Sequence, residues 1–174
     1  MTPSGCKLPG KVHARLEAQG RTIVVGDVHG CYDELLLLLD QLRYDPGTDT
    51  LVFTGDLVAK GPHSNQVLTA ARELGALSVR GNNDDAALNA YLKWRAGAQV
   101  KPKYSWVADM DDRNAAWLAD LPFTLTLSNY RSIIVHAGIV PGRSIRKQRL
   151  IDLYKMRNIS PVDGSKGHEG EESG

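Results

Sequence analysis

Five residues of this 174-residue chain are of the types that hold divalent metals, each where an apolar run gives way to a glycine-flanked polar loop. They are Asp27 and His29 in "GDVHG", Asp56 in "GDLVAKG", Asn82 in "GNND" and His136 in "HAG". Carboxylate, imidazole and amide oxygen together suit a hard-to-borderline divalent cation. An Asp-x-His pair can present both side chains to one ion, and an aspartate from a neighbouring loop can bridge to another. Two ions roughly 3.5–4 Å apart clamp a phosphate, lower the pKa of a bridging water and align in-line attack. The flanking glycines let backbone approach ions and phosphate without a Cβ in the way. Taken singly, Asp27 reads as a turn residue, Asn82 as an Asx turn and His136 as a satisfied histidine at a core edge. Four such loops in order at one sheet edge favour a metal site.

The elements that must bring these loops together follow from the local pattern. "RTIVV" is a short β-branched run that stops at Gly26 and Asp27, as a buried strand delivering a loop does. The leucine run over 32–42 has high helix propensity, and Asp33 and Glu34 favour a helix N-terminus. The pattern repeats with a strand over 50–54, a loop from Gly55 and a helix over 64–74 whose N-cap is Ser64, and again with "GALSVRGNND" and a helix over 84–96. Strand, glycine-containing loop and helix in succession predict βαβ units in a parallel sheet, loops gathered at the carboxyl edge of its strands. A Lys-rich loop, "AGAQVKPKYSW", precedes a helix in "DDRNAAWLADL" that Pro122 stops. "FTLTL" and "SIIVHAG" then read as two strands about the turn "SNYR", and "SIRKQRLIDLYKMRN" as a basic helical segment. The tail from Pro161 has no aliphatic run and is expected to be disordered.

Composition narrows the function classes. With 42% hydrophobic residues the chain can bury a core of one ordinary domain. Its 21 Lys and Arg nearly cancel 20 Asp and Glu, which gives no strong signal for nucleic acid and confines any anion binding to a local site. No run reaches the roughly 20 apolar residues of a membrane span. Cys6 and Cys31 form neither a C-x-x-C pair nor a disulfide framework, which fits a reducing, cytoplasmic compartment.

The ordered series "GDVHGCYDEL", "GDLVAKGP", "RGNND" and "HAG" resembles the calcineurin-like metallophosphoesterases, within them the phosphoprotein phosphatase branch. "KGP" in the second motif and "DLYKMRN" near the end are most similar to the ApaH-like diadenosine tetraphosphatases. The resemblance implies an α/β fold, the first half of a metallophosphoesterase β-sandwich with a mostly parallel sheet flanked by helices. It would occupy residues 21–158, incomplete at its C-terminal side, after a flexible segment over 1–20 and before a tail over 159–174. Two divalent ions (Mn, Fe, Zn or Mg) are implied. Asp27, His29 and Asp56 would form one site, with Asp56 bridging to a second site of Asn82 and His136. The implied reaction is hydrolysis of phosphomonoesters or dinucleoside polyphosphates by a metal-bound hydroxide, on a phosphorylated small molecule, a nucleotide or, in the Ser/Thr phosphatase alternative, a phosphoprotein. Lys60 and Arg80 fall at phosphate-binding positions. Asn83 and Asp84 fall at the catalytic positions of the third motif, with Asn83 in place of the family's proton-donating histidine. An amide donates a hydrogen bond but gives up no proton near neutral pH, so an impaired phosphate- or protein-binding relative is the alternative of another class. Ala59 stands where an orienting aspartate is often found. The family's further metal histidine lies in a second sheet beyond "HAG"; His168 has the matching Gly-His context but no preceding strand-like run.

Overall fold

A computed structural model of the chain describes residues 1–159 together with the backbone of Gly167 and His168. The elements are β1 (His13–Leu16), β2 (Thr22–Val25), α1 (Tyr32–Gln41), β3 (Thr50–Phe53), α2 (Ser64–Glu73), β4 (Leu77–Ser78), α3 (Asn82–Arg95), α4 (Asp112–Asp120), β5 (Thr124–Leu127), β6 (Ser132–Val135), α5 (Leu150–Lys155), β7 (Asn158–Ile159) and β8 (Gly167–His168). They form an α/β architecture. One three-stranded sheet, in the order β2-β3-β4, is parallel throughout, a second, in the order β1-β5-β6, pairs β1 parallel and β6 antiparallel to β5, and β7 and β8 form a small antiparallel pair. The expected βαβ units are therefore present in β2-α1-β3-α2-β4. No helix among the described residues is long and apolar enough to cross a membrane.

The main core lies between the β2-β3-β4 sheet and the helices, where Leu51, Phe53, Val67, Leu68 and Leu118 are almost wholly buried. Helical spacing explains why the leucine run of α1 is only partly used: Leu35 and Leu39, one turn apart, are buried, while the intervening Leu37 keeps 62% of its surface. A second cluster, Val52 and Val79 against Leu125 and Leu127, joins the two sheets. Val24 of β2 and Ile133 of β6 remain 48% and 42% exposed.

The structure departs from the sequence reading in three places. Residues 1–20 are not a free segment: β1 pairs with β5 from His13↔Thr124 to Leu16↔Leu127, Asn129 holds the backbone of Ala18 from both sides, and Thr2 and Cys6 are buried. The Lys-rich loop runs at its C-terminal end into a 3-10 segment, Pro102–Asp109, that packs on α3. Ser64 is the first helical residue rather than the N-cap, and its hydroxyl accepts from Ala59 N (3.0 Å), within the second loop. Within the tail expected to be disordered, Gly167 and His168 form β8, antiparallel to β7; the rest of that tail and the His168 side chain lie outside the described residues.

Candidate metal centre

The loops after β2, β3 and β4 converge as the βα alternation demanded, but the four loops do not share one sheet edge as expected: the loop after β6, antiparallel to β5 in the other sheet, joins them from outside that alternation. Backbone hydrogen bonds stitch the first to the second: Val28 N and His29 N both donate to Asp56 O (3.1 and 2.9 Å), and Gly30 N donates to Leu57 O (2.8 Å). Two glycines weld the second to the third. A Cβ on Gly55, whose φ is +92°, would meet Gly81 N at 2.6 Å, and one on Gly81 would meet Asp56 N at 2.2 Å. The turns are tight enough that four non-glycine residues adopt left-handed backbone: His29 (φ 50), Asp56 (φ 53), Ala59 (φ 69) and Lys60 (φ 66). Such conformations cost free energy and collect where a site over-determines them.

Ligand atoms of Asp27, His29 and Asp56 all lie within 4.8 Å of one another. His29 Nε2 is 3.5 Å from Asp27 Oδ2 and 3.7 Å from Asp56 Oδ2; on the other side His136 Nε2 is 3.5 Å from Asp56 Oδ1. Each imidazole has its remaining nitrogen occupied by a carbonyl. His29 Nδ1 is 3.2 Å from Val58 O, and His136 Nδ1 is 2.9 Å from Thr54 O. A carbonyl only accepts, so Nδ1 carries the proton and Nε2 keeps its lone pair facing the centre, the arrangement typical of metal-ligating histidines.

The Asn82 amide belongs to the same set. Its Oδ1 lies 3.3 Å from His136 Nε2. Two acceptors so placed suit a cation between them. Turned over, the amide nitrogen instead donates to His136 Nε2 (3.3 Å) and to Tyr154 O (3.2 Å) while its oxygen accepts from Asn83. The donor types suit divalent ions: Asp27, His29 and Asp56 would hold one, and Asp56, Asn82 and His136 are the candidates for a second.

The remaining candidates divide sharply. Lys60 is at the centre, its Nζ 2.9 Å from His29 Nε2. Asn83 closes on the carboxylate, its backbone N donating to Asp56 Oδ1 (2.9 Å) and its Nδ2 to Asp56 Oδ2 (2.6 Å). Asp84 is fully buried and spends both oxygens on backbone: Oδ2 accepts from Asp56 N and Gly81 N, Oδ1 from Leu57 N, all at 2.9 Å. Burial, then the neighbouring Asp56 carboxylate, lifts its pKa to about 6 against the pull of those amides. It is a positioning residue that holds the Asp56 loop, not a group free to meet substrate.

Arg80 is corrected outright. Its side chain is wholly buried, with Nη1 3.2 Å from Asp85 Oδ1, Nη2 donating to Ala119 O (2.5 Å) and the guanidinium 5.1 Å from the centre of the Phe123 ring. It faces the core and cannot reach a phosphate in the loops. Sequence reasoning missed Tyr154, whose hydroxyl donates to Asp85 Oδ2 (3.3 Å) and whose carbonyl accepts from the Asn82 amide when that amide is turned over (3.2 Å), and Leu153, whose carbonyl accepts from Ala137 N (2.9 Å) beside His136. The "DLY" of α5 entered the sequence reading only through the resemblance carried by "DLYKMRN", which gave no sign of this position.

The calcineurin-like phosphoesterase family model matches residues 20–167. The chain belongs to the calcineurin-like phosphoesterase family. Among its curated relatives, a symmetrical bis(5'-nucleosyl)-tetraphosphatase of Klebsiella pneumoniae (strain 342) is 41% identical over 127 residues, 69% of this chain and 44% of its own. The corresponding protein of Yersinia pestis (strain Pestoides F) is 40% identical over 136 residues, 74% of this chain and 46% of its own. The chain therefore spans less than half the length of these relatives. A solved structure assigned as a diadenosine tetraphosphatase superposes with a TM-score of 0.77 at 33% identity, covering 85% of this chain and 64% of that one. Divalent metal binding is implied for a phosphoesterase of this family, in keeping with the Asp27, His29 and Asp56 cluster.

Proposed function

We propose that this chain carries the metal-binding half of a phosphoesterase that hydrolyses dinucleoside polyphosphates, with activated phosphomonoesters as further substrates. The observation that carries the reading is Asp56, a carboxylate with an imidazole Nε2 beside each of its oxygens, at 3.7 Å for His29 and 3.5 Å for His136. A carboxylate flanked in this way is built to bridge two cations. Mn, Fe, Zn and Mg all accept this donor set. When bound, such ions polarise a phosphoryl group and generate a nucleophile from water at neutral pH.

The chain's own residues supply the rest. The carbonyls of Val58 and Thr54 fix both imidazoles, Asp84 fixes the Asp56 loop, and Asn83 holds both oxygens of Asp56 in place. Lys60 brings a positive charge to the phosphate, as a point charge rather than a bidentate fork. Asn83 gives no proton to a departing oxygen, so substrates that leave as a phosphate anion, as in a phosphoanhydride, suffer least. The names of the relatives point to the same class, and the free thiols of Cys6 and Cys31 fit a cytoplasmic setting. The test is turnover with manganese of diadenosine tetraphosphate against a phosphopeptide, products separated by chromatography. Release of ADP from the first and no phosphate from the second is expected; the reverse preference would make it a protein phosphatase. The Asn83 clasp on Asp56 favours one second reading, a phosphate-binding relative with impaired catalysis. Metal binding without turnover of either substrate would select it.

A further inference from the structure

A second cavity, of about 400 Å³, opens along α3 on the face that begins at Asn82. Ala86, Asn89 and Lys93 line it and follow Asn82 at spacings of four, seven and eleven residues, one stripe of the helix. At roughly 1.5 Å per residue the cavity runs from about 6 Å to about 16 Å along the helix axis from Asn82. The opposite wall is the 3-10 segment Pro102–Asp109 and the loop before it, which contribute Lys101, Lys103 and Tyr104.

The charge of this cavity is one-sided. Lys93, Lys101 and Lys103 line it, no carboxylate does, and none of the three makes an ion pair among the described residues. The larger groove on another face of α3, about 850 Å³, shows the contrast: its Arg95 is neutralised by Asp112, and Asp120 also lines it. The walls of the smaller cavity are otherwise mixed. Ala86, Ala90, Val100 and the Tyr104 ring offer apolar surface, Asn89 and Gln99 offer amides, and the Lys103 ammonium sits 5.1 Å from the centre of the Tyr104 ring. A few placed polar groups in an apolar cleft of this size are what a small ligand site presents. Unpaired ammonium groups beside an aromatic face select an anion with a flat, hydrogen-bonding, partly apolar body.

We propose that this cavity is a nucleoside-phosphate subsite, with Lys93, Lys101 and Lys103 taking the phosphate and Tyr104, Val100 and Asn89 the base. The inference rests on the proposed function only in making that nucleotide the far half of a dinucleoside polyphosphate whose phosphate chain reaches the metal centre; binding itself requires no catalysis. Calorimetric titration of the full chain in EDTA with AMP, adenosine and inorganic phosphate tests it. AMP is expected to bind, with adenosine and phosphate each at least about tenfold weaker, since a charge-assisted contact contributes about 1.5–3 kcal/mol. The double variant Lys101→Glu/Lys103→Glu, at exposed positions, should lose AMP binding by a like factor with an unchanged unfolding midpoint, and His29→Ala should keep it. AMP binding that survives the charge reversal, that phosphate alone matches, or that disappears in His29→Ala overturns the subsite. A chain that binds AMP in this way yet never turns over diadenosine tetraphosphate would overturn the proposed function and leave the subsite standing.

Discussion

Asp56 and Asp85 are buried carboxylates on either side of the first turn of α3, and their surroundings differ in kind. Asp85 faces an arginine and a tyrosine hydroxyl, each on one oxygen, inside a wholly buried cluster with Phe123 and Tyr154. Its charge is balanced within the chain. Asp56 faces two imidazole lone pairs and two Asn83 donors, among residues whose other polar atoms are already committed to backbone. Charge paired internally makes structure; acceptors converging on one another, held there by a scaffold that does not neutralise them, make a place for a cation.

Asp56→Ala should break the second arrangement most completely. Calorimetry should show metal affinity falling by more than the about 10–100-fold that follows loss of an outer partner, and hydrolysis of p-nitrophenyl phosphate should go with it while cooperative unfolding is retained. Arg80→Met attacks the first arrangement. It leaves Asp85 buried and unpaired, so urea denaturation should show about 3–5 kcal/mol less stability, with the metal affinity of the folded protein unchanged. A drop in metal affinity instead would mean that Arg80 serves the site after all. Asn83→His sharpens the comparison from within. Restoring an acid should raise hydrolysis of poor leaving groups by about 10²-fold, the lower end of general acid help, and that of nitrophenyl phosphate much less. Equal gains on both substrates would count against proton donation. Lys60→Ala should have the smallest effect, raising KM for phosphate esters about tenfold, the lower end of a charge-assisted contact, with kcat little changed; Lys60→Arg should recover most of it.

The candidate ligands stood out because each is a donor type at the end of a short apolar strand; parallel βαβ geometry brings the ends of β2, β3 and β4 to one edge, while His136 reaches it from the other sheet. Arg80 was misread for a reason sequence does not display: a strand residue alternates faces, and whether "VRG" turns its arginine to the loops or to the core depends on Asp85 and Phe123 arriving behind it. Asp84 was placed correctly but given the wrong work, since backbone amides as partners leave no trace in residue types. The first strand was invisible because "HARL" is four residues long and holds a histidine and an arginine; its order comes from a neighbour far along the chain. The lysines near residue 100 were visible as charge, but not as the wall of a cavity, because their counterpart face belongs to α3.

That remote neighbour also orders events in time. β1 pairs with β5 across 111 positions, His13 meeting Thr124, whereas β2, β3 and β4 each find their partners through one intervening helix. A contact of such sequence separation carries a large loop-closure cost and forms slowly. During synthesis, β1 must wait for nearly the whole of the β2 to α4 unit before its own sheet can exist. The loop carrying His136, which leaves that same sheet by way of β6, is accordingly the last part of the centre to arrive.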